Sequence, residues 1–255
     1  DTLKDEVDKI ILASSDTDLI PAILLAKSEG KKVVYVGFDD RLTQALSAKS
    51  SSTQVIRDAE VIDLRSGDEV LCPVYTFHAT VSPMMYFGAK PVFCDSDNEG
   101  NISFDGIKSK YTNNTKAIIV THMWGTPIKD IQKIADFCKE KRIYLLEDCS
   151  HAHGAEIYGK KVGTFGDISA WSLQGQKTIT GGEGGIILTD NKKMFDRALL
   201  QGHYNKRPKN EIDKSNDLYK YYLTGMGLKL RAHPLAIITA SCFFILADEA
   251  GGGRQ

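Results

Sequence analysis

The stretch AWSLQGQKTITGGEGGIILTD, residues 170–190, sets one lysine, Lys177, between a strand-like run and a cluster of glycines. Gly175, Gly181, Gly182, Gly184 and Gly185 surround that single amine. Most lysines beside glycine-rich turns are ordinary surface residues. Glycine, however, lets backbone approach a bulky planar ligand closely, and a partly desolvated lysine is the side chain that condenses with carbonyl groups.

Outward from this stretch, the chain alternates short β-branched runs with helical patterns. DEVLCPV (68–74), KPVFCD (90–95), KAIIVTH (116–122) and RIYLLED (142–148) read as strands, TFHATVSPMMYFG (76–88) as a helix. IKDIQKIADFCKEK (128–141) is an amphipathic helix with Ile131, Ile134, Ala135 and Cys138 on one face. Short apolar strands between helices imply an α/β fold with a buried parallel sheet. Near the N-terminus DKIILAS (8–14) and KKVVYVGF (31–38) are strands flanking a helix, LIPAILLAKSEG (19–30), and DRLTQALSAK (40–49) offers another. The serine cluster SAKSSST (47–53) breaks the pattern and AEVIDL (59–64) resumes it, so a change of character near Leu64–Ser66 divides the chain into residues 1–64 and 65–250. The tail EAGGGRQ (249–255) reads as disordered.

Composition narrows the class. At 255 residues, 42% hydrophobic and 25% charged, the chain is long enough for a sizeable core. A formal net charge of −1 and no long basic block give no reason to expect a nucleic-acid or membrane partner. Five scattered cysteines with no C-x-x-C pair fit a reducing, cytoplasmic setting. No apolar run reaches the roughly 18 residues of a membrane span. An opening on Asp1 without Met suggests a fragment or processed product.

Strand ends carry the chemistry, because in open α/β sheets ligands gather beyond the carboxyl ends of the strands. RIYLLEDCSHAHG (142–154) ends a strand on Glu147 and Asp148 and then supplies His151 and His153. Such an acid either caps the next turn or faces a cationic ligand, and on this piece alone the two readings stand level. Pyridoxal phosphate chemistry needs a lysine together with a carboxylate facing the pyridinium nitrogen. Asp148 and Lys177 are both available.

From Gly67 to about Ala240 the chain resembles the DegT/StrS family of pyridoxal-phosphate-dependent nucleotide-sugar aminotransferases. The matching pieces are GDEVLCPVYTFHAT, GAKPVFCDSD, TKAIIVTHMWGTP, LLEDCSHAHGAEIYGKKVGTFGDISAWSLQGQKTITGGEGGIILTD and GLKLRAHPLA. The resemblance implies the aspartate-aminotransferase (type I) fold, a nucleotide-sugar substrate, an amino acid donor such as glutamate, and a homodimer. By position Lys177 resembles the Schiff-base lysine and proton shuttle, and Asp148 the partner of the pyridinium nitrogen. Phe77 sits where the family stacks an aromatic ring on the cofactor, His151 where a polar side chain approaches its phenolic oxygen, and Ser172 where a hydroxyl bonds its phosphate. Each also has a plainer reading, as core phenylalanine, structural histidine or strand-end serine. Lysine at 177 argues against the family's dehydratases, which carry a histidine there.

The pattern departs from the family in two places. SSSTQVIRDAEVIDLRS (50–66) lacks the Gly-Thr-Ala-like turn whose amides hold the cofactor phosphate, and Gly227 stands where the partner subunit's asparagine is expected. The first 64 residues resemble the later half of an NYN (PIN-like) domain, in which Asp16 and Asp18 would help hold Mg²⁺ or Mn²⁺. SSDTD (14–18) before an apolar helix does the routine work of an N-cap, and that reading is favoured over nuclease activity. The rival functions are thus a metal-dependent ribonuclease and a non-catalytic remnant of the aminotransferase.

Overall fold

The computed structural model describes residues 9–12, 32–37, 52–55, 64–85, 88–225 and 234–251. The chain divides into two compact units, residues 1–60 with 197–230, and 61–196 with 231–255. In the first, strands β1 (Lys9–Leu12), β2 (Lys32–Gly37) and β3 (Ser52–Val55) form a parallel sheet in that order, with Ile10 opposite Val33 and Val34 opposite Ser52. β3 begins inside the serine cluster read as a break. Serine carries little strand preference of its own, so pairing of β3 with β2 decides its conformation.

The second unit holds the site. Its strands are β4 (Glu69–Pro73), β5 (Lys90–Cys94), β6 (Thr115–Thr121), β7 (Tyr144–Asp148), β10 (Ile168–Ser172) and β11 (Gly185–Leu188), and a two-stranded hairpin, β8 (Glu156–Ile157) with β9 (Lys160–Lys161), lies apart. The sheet order is β11-β10-β7-β6-β4-β5. All neighbours are parallel except β10 and β11, so the expectation of a parallel sheet is corrected at one edge. The turn 173–184 reverses the chain directly, whereas a parallel return needs a long crossover.

β4 is buried along its whole length, as a strand covered on both faces must be. Helices α1 (His78–Met85), α2 (Phe104–Lys110) and α3 (Ile131–Lys141) follow strands β4, β5 and β6. Ser103 caps α2 by accepting from Gly106 N at 3.0 Å. α3 buries Ile131, Ile134, Ala135 and Cys138, as its apolar period predicts, against Leu71, Ile118 and Leu145. Ile131 and Ile134 each contribute roughly 1.5–3 kcal/mol by leaving water, the smaller Ala135 and Cys138 less. α3 stops at Arg142, which adopts a left-handed conformation (φ 57°) and donates its N–H to the Cys138 and Lys139 carbonyls.

Four helices have no counterpart in the sequence reading: α2, α4 (Lys192–Gly202), α5 (Lys206–Glu211) and α6 (Pro234–Gly251). α6 includes Glu249–Gly251, so the tail read as disordered begins as helix. Among the described residues no helix is long and apolar enough to cross a membrane, and all five cysteines are free.

Candidate active site

The sheet order places a reversal between β4 and β6: from β4 the chain steps outward to β5, then returns to the other side of β4 and proceeds through β6, β7 and β10. The carboxyl ends flanking such a reversal form the crevice where α/β proteins hold ligands. Here those ends carry Thr76, Thr121, Asp148 and Ser172. Thr121 lies opposite Asp148 in the β6–β7 register, and Asp148 opposite Ala170, two residues before Ser172.

Asp148 is held from two sides. Its Oδ2 accepts from Thr80 Oγ1 at 2.6 Å and its Oδ1 from the Ser150 N–H at 3.0 Å. Thr80 belongs to a hydroxyl chain in which Thr76 lies 3.1 Å from Thr80 and 3.0 Å from Thr121. The carboxylate is therefore oriented by helix α1 as well as by its own strand. Thr80 ends the piece GDEVLCPVYTFHAT, but nothing in that piece singles it out as a partner of Asp148.

His151 follows one turn later. Burial lowers its pKa below the ordinary histidine range, and the Lys177 ammonium adds to this while Asp148 opposes it. Asp148, His151 and Lys177 thus share one electrostatic neighbourhood. The buried His151 Nδ1 has no hydrogen-bond partner among the described residues. One face of its ring is covered by Trp124, the centroids 5.4 Å apart and the planes 12° from parallel. His153 is likewise lowered by burial and by Lys177.

Lys177, half-buried, sits in the glycine-rich connection between β10 and β11. Its N–H bonds the Gln174 carbonyl at 2.9 Å, and Leu173 N to Gly184 O and Gly181 N to Leu173 O, both 2.9 Å, draw the loop together. Gly182 and Gly184 have φ of 87° and 138°, a region costly for other residues, and a Cβ on Gly181 would lie 2.7 Å from the Ala236 carbonyl. These glycines let the turn close and pack tightly, so the lysine projects from a constrained loop. Ser172 ends β10, its Oγ accepting from Gln174 N at 3.3 Å.

Phe77 is 63% exposed, so it is not a core residue. Its ring packs on His78, 4.3 Å away at 51°. Asp16, Asp18 and Gly227 lie outside the described residues.

Glu147, adjacent to Asp148, does a different job. Its side chain is fully buried and accepts four hydrogen bonds: His122 Nε2 at 3.1 Å, Gly163 N at 2.7 Å, Phe165 N at 2.7 Å and Gly166 N at 2.6 Å. His122 Nδ1 accepts from Ile128 N at 3.2 Å, so Nε2 carries the proton given to Glu147. Burial works to raise the Glu147 pKa, but His122 and the Gly166 and Gly163 amides hold it below the usual carboxylate range. His122, Glu147 and Cys149 lie close enough to bracket a metal ion. Yet both imidazole nitrogens and both carboxylate oxygens are engaged, and burial pushes the Cys149 thiol up, away from the thiolate a metal requires. The cluster is structural. Of the two strand-end acids, Glu147 braces the fold and Asp148 faces the crevice.

An amine, a braced carboxylate, an exposed aromatic ring and a histidine with an unpartnered nitrogen fit pyridoxal phosphate, and comparison with known proteins agrees. Residues 41–241 match the DegT/DnrJ/EryC1/StrS aminotransferase family. The match begins inside the segment read as NYN-like, and that reading, with its metal site, gains no support. The GDP-perosamine synthase of Escherichia coli O157:H7 is 45% identical over 139 residues, covering 54% of this chain and 38% of that protein. Among solved structures, the aminotransferase from Psychrobacter cryohalolentis aligns with a TM-score of 0.65 at 30% identity, covering 75% of this chain and 49% of that one. A GDP-4-keto-6-deoxymannose-3-dehydratase with a trapped PLP-glutamate geminal diamine aligns with a TM-score of 0.63 at 26% identity, covering 71% of this chain and 49% of that one. The chain thus spans half or less of the length of these relatives. The α/β architecture is that of the fold type I enzymes, and the chain belongs to the DegT/DnrJ/EryC1/StrS aminotransferase family.

Proposed function

We propose that this chain carries the cofactor site of a pyridoxal-phosphate-dependent aminotransferase acting on a keto-sugar nucleotide, with an amino acid such as glutamate as donor. The observation that carries the reading is the convergence of Asp148, His151 and Lys177 at the carboxyl edge of the sheet, with the Asp148 carboxylate fixed by Thr80 and Ser150. The relatives named for GDP-perosamine and for a GDP-4-keto sugar support the substrate class. In this reading the molecule works as a cytoplasmic homodimer.

The bound cofactor supplies an electron sink for charge that develops when a proton leaves the carbon bearing the transferred nitrogen. Lys177 would anchor the cofactor through Nζ, and the same atom would accept and return the proton that leaves the substrate carbon. Asp148 would keep a proton on the cofactor's ring nitrogen; Thr80 and Ser150 hold its carboxylate in place, so no reorganisation would be needed as charge develops. Phe77 would cover the cofactor ring, His151 would offer Nδ1 to its polar edge, and Ser172 would bond the phosphate. A lysine at 177, rather than a histidine, favours transamination over dehydration.

The test is to mix the protein with pyridoxal phosphate, record the visible spectrum, reduce with borohydride and map the labelled peptide. Label confined to Lys177 and lost in Lys177→Ala is the expected result. Label that persists in the variant, or maps to Lys160 or Lys161, overturns the assignment.

A further inference from the structure

Trp124 stands out at the crevice. It occupies the second position of the turn Met123–Thr126, closed by Thr126 N to Met123 O at 2.9 Å, with φ 55° and ψ 21°. The following Gly125 has φ 83°. Two successive left-handed residues are the signature of a type I′ turn, where Asn, Asp and Gly are favoured and a bulky aromatic is not. The turn is locked against the next strand's loop: a Cβ on Gly125 would meet the His151 carbonyl at 3.0 Å. Tyr158 holds a similar turn position, but its hydroxyl is anchored on the Lys129 carbonyl at 3.2 Å, far along the chain from the strand-end residues.

The strained turn leaves the indole 70% exposed while fixing its orientation twice, by the stack on His151 and by Nε1 donating to Tyr75 Oη at 3.3 Å. Tyr75 is itself 48% exposed, at the end of β4 beside Phe77. An ordered, exposed aromatic ring in unfavourable backbone geometry, at the sheet's reversal point, contributes little to the core. Such strain marks a residue placed for a ligand.

We propose that Trp124 is a substrate-contacting residue, its outer indole face packing against the sugar ring of the sugar nucleotide while Tyr75 Oη meets the sugar's hydroxyls. The proposal rests on the function proposed above. A pyranose presents an apolar C–H face with hydroxyls at its rim, and an indole flanked by a phenol matches that pattern. The opposite indole face is occupied by His151, so the substrate sugar is carried next to the residues that neighbour Lys177.

The test uses the full chain mixed with pyridoxal phosphate and measures the affinity for GDP-mannose, and for GDP alone, by calorimetry. Trp124→Ala should weaken GDP-mannose binding about tenfold or more, equivalent to about 1.4 kcal/mol, and change GDP binding less than about twofold; Trp124→Phe should restore most of the loss. The side chain is largely exposed, so the variants should keep the wild-type circular dichroism spectrum. GDP-mannose affinity within about twofold of wild type in Trp124→Ala, equal losses for GDP and GDP-mannose, or no GDP-mannose binding by the wild type would each overturn the proposal. Borohydride trapping at Lys177 on the same samples separates the two readings. Label on Lys177 with affinities unmoved removes the platform alone, whereas no label in the wild type removes the cofactor site beneath it.

Discussion

Replacing Glu147 by glutamine keeps the shape of the side chain and removes half of its accepting capacity. In the native protein Oε1 accepts from the Phe165 and Gly166 amides and Oε2 from the Gly163 amide and His122 Nε2. Whichever way the new amide turns, its NH₂ faces two buried donors. His122 cannot relieve the conflict by changing tautomer without giving up the Ile128 amide bonded to its Nδ1. Two unsatisfied buried donors cost about 1–3 kcal/mol each, hence about 2–6 kcal/mol in all, a large share of the roughly 5–15 kcal/mol that holds a domain folded. In urea unfolding followed by circular dichroism, the midpoint should fall by about 1–3 M at a slope of about 2 kcal/mol per M. The pH dependence supplies a second readout. The Glu147 pKa is depressed from 4.5 in the folded state, so its contribution is fully present above the unfolded value and is lost as pH falls through the folded one. The penalty of Glu147→Gln should therefore be constant from about pH 7 to pH 5 and shrink below about pH 4.5. A midpoint shift under about 0.5 M, or a penalty that does not shrink in acid, would refute the reasoning.

Other outcomes follow from the site. Thr80→Val removes the hydroxyl 2.6 Å from Asp148 Oδ2; loss of a bond to a charged acceptor should weaken pyridoxal phosphate binding by about tenfold, read from the visible absorbance, and an unchanged affinity would show that Asp148 needs no such brace. If 50–66 lacks the phosphate-holding turn and Gly227 stands in place of a donating asparagine, as the resemblance implies, two or three charge-assisted bonds would be absent and cofactor affinity should be about a thousandfold or more below that of the family's aminotransferases. Saturation at low micromolar pyridoxal phosphate with turnover of glutamate would contradict this. Single-stranded RNA incubated with the protein and Mg²⁺ or Mn²⁺ should remain intact, since two carboxylates alone, at Asp16 and Asp18, would hold a metal weakly; cleavage abolished by Asp16→Asn would restore the nuclease reading.

Local pattern carried much of this protein into view. The β-branched runs became strands β4 to β7, and the 3.6-residue period of 128–141 named the buried face of α3 residue by residue, because periodicity is a property of neighbours along the chain. The acids and histidines at the end of one strand and a lysine among glycines after another are likewise a local pattern that sequence displays directly. What pairing across the sheet decides was not legible. Local sequence does not encode register or strand order, so the antiparallel edge at β11, the strand within the serine cluster, and the reversal between β4 and β6 emerged only in three dimensions. The two adjacent acids show the same division most sharply. Sequence left cap and ligand level, since alternate residues of a strand face opposite sides of the sheet and nothing local says which side holds the cover. Tertiary structure turned Glu147 toward His122 and the 163–166 amides and left Asp148 to Thr80 and the open strand end. The placement of Trp124 was not legible for a related reason: its left-handed turn and stack on His151 are set by packing between segments apart in the chain.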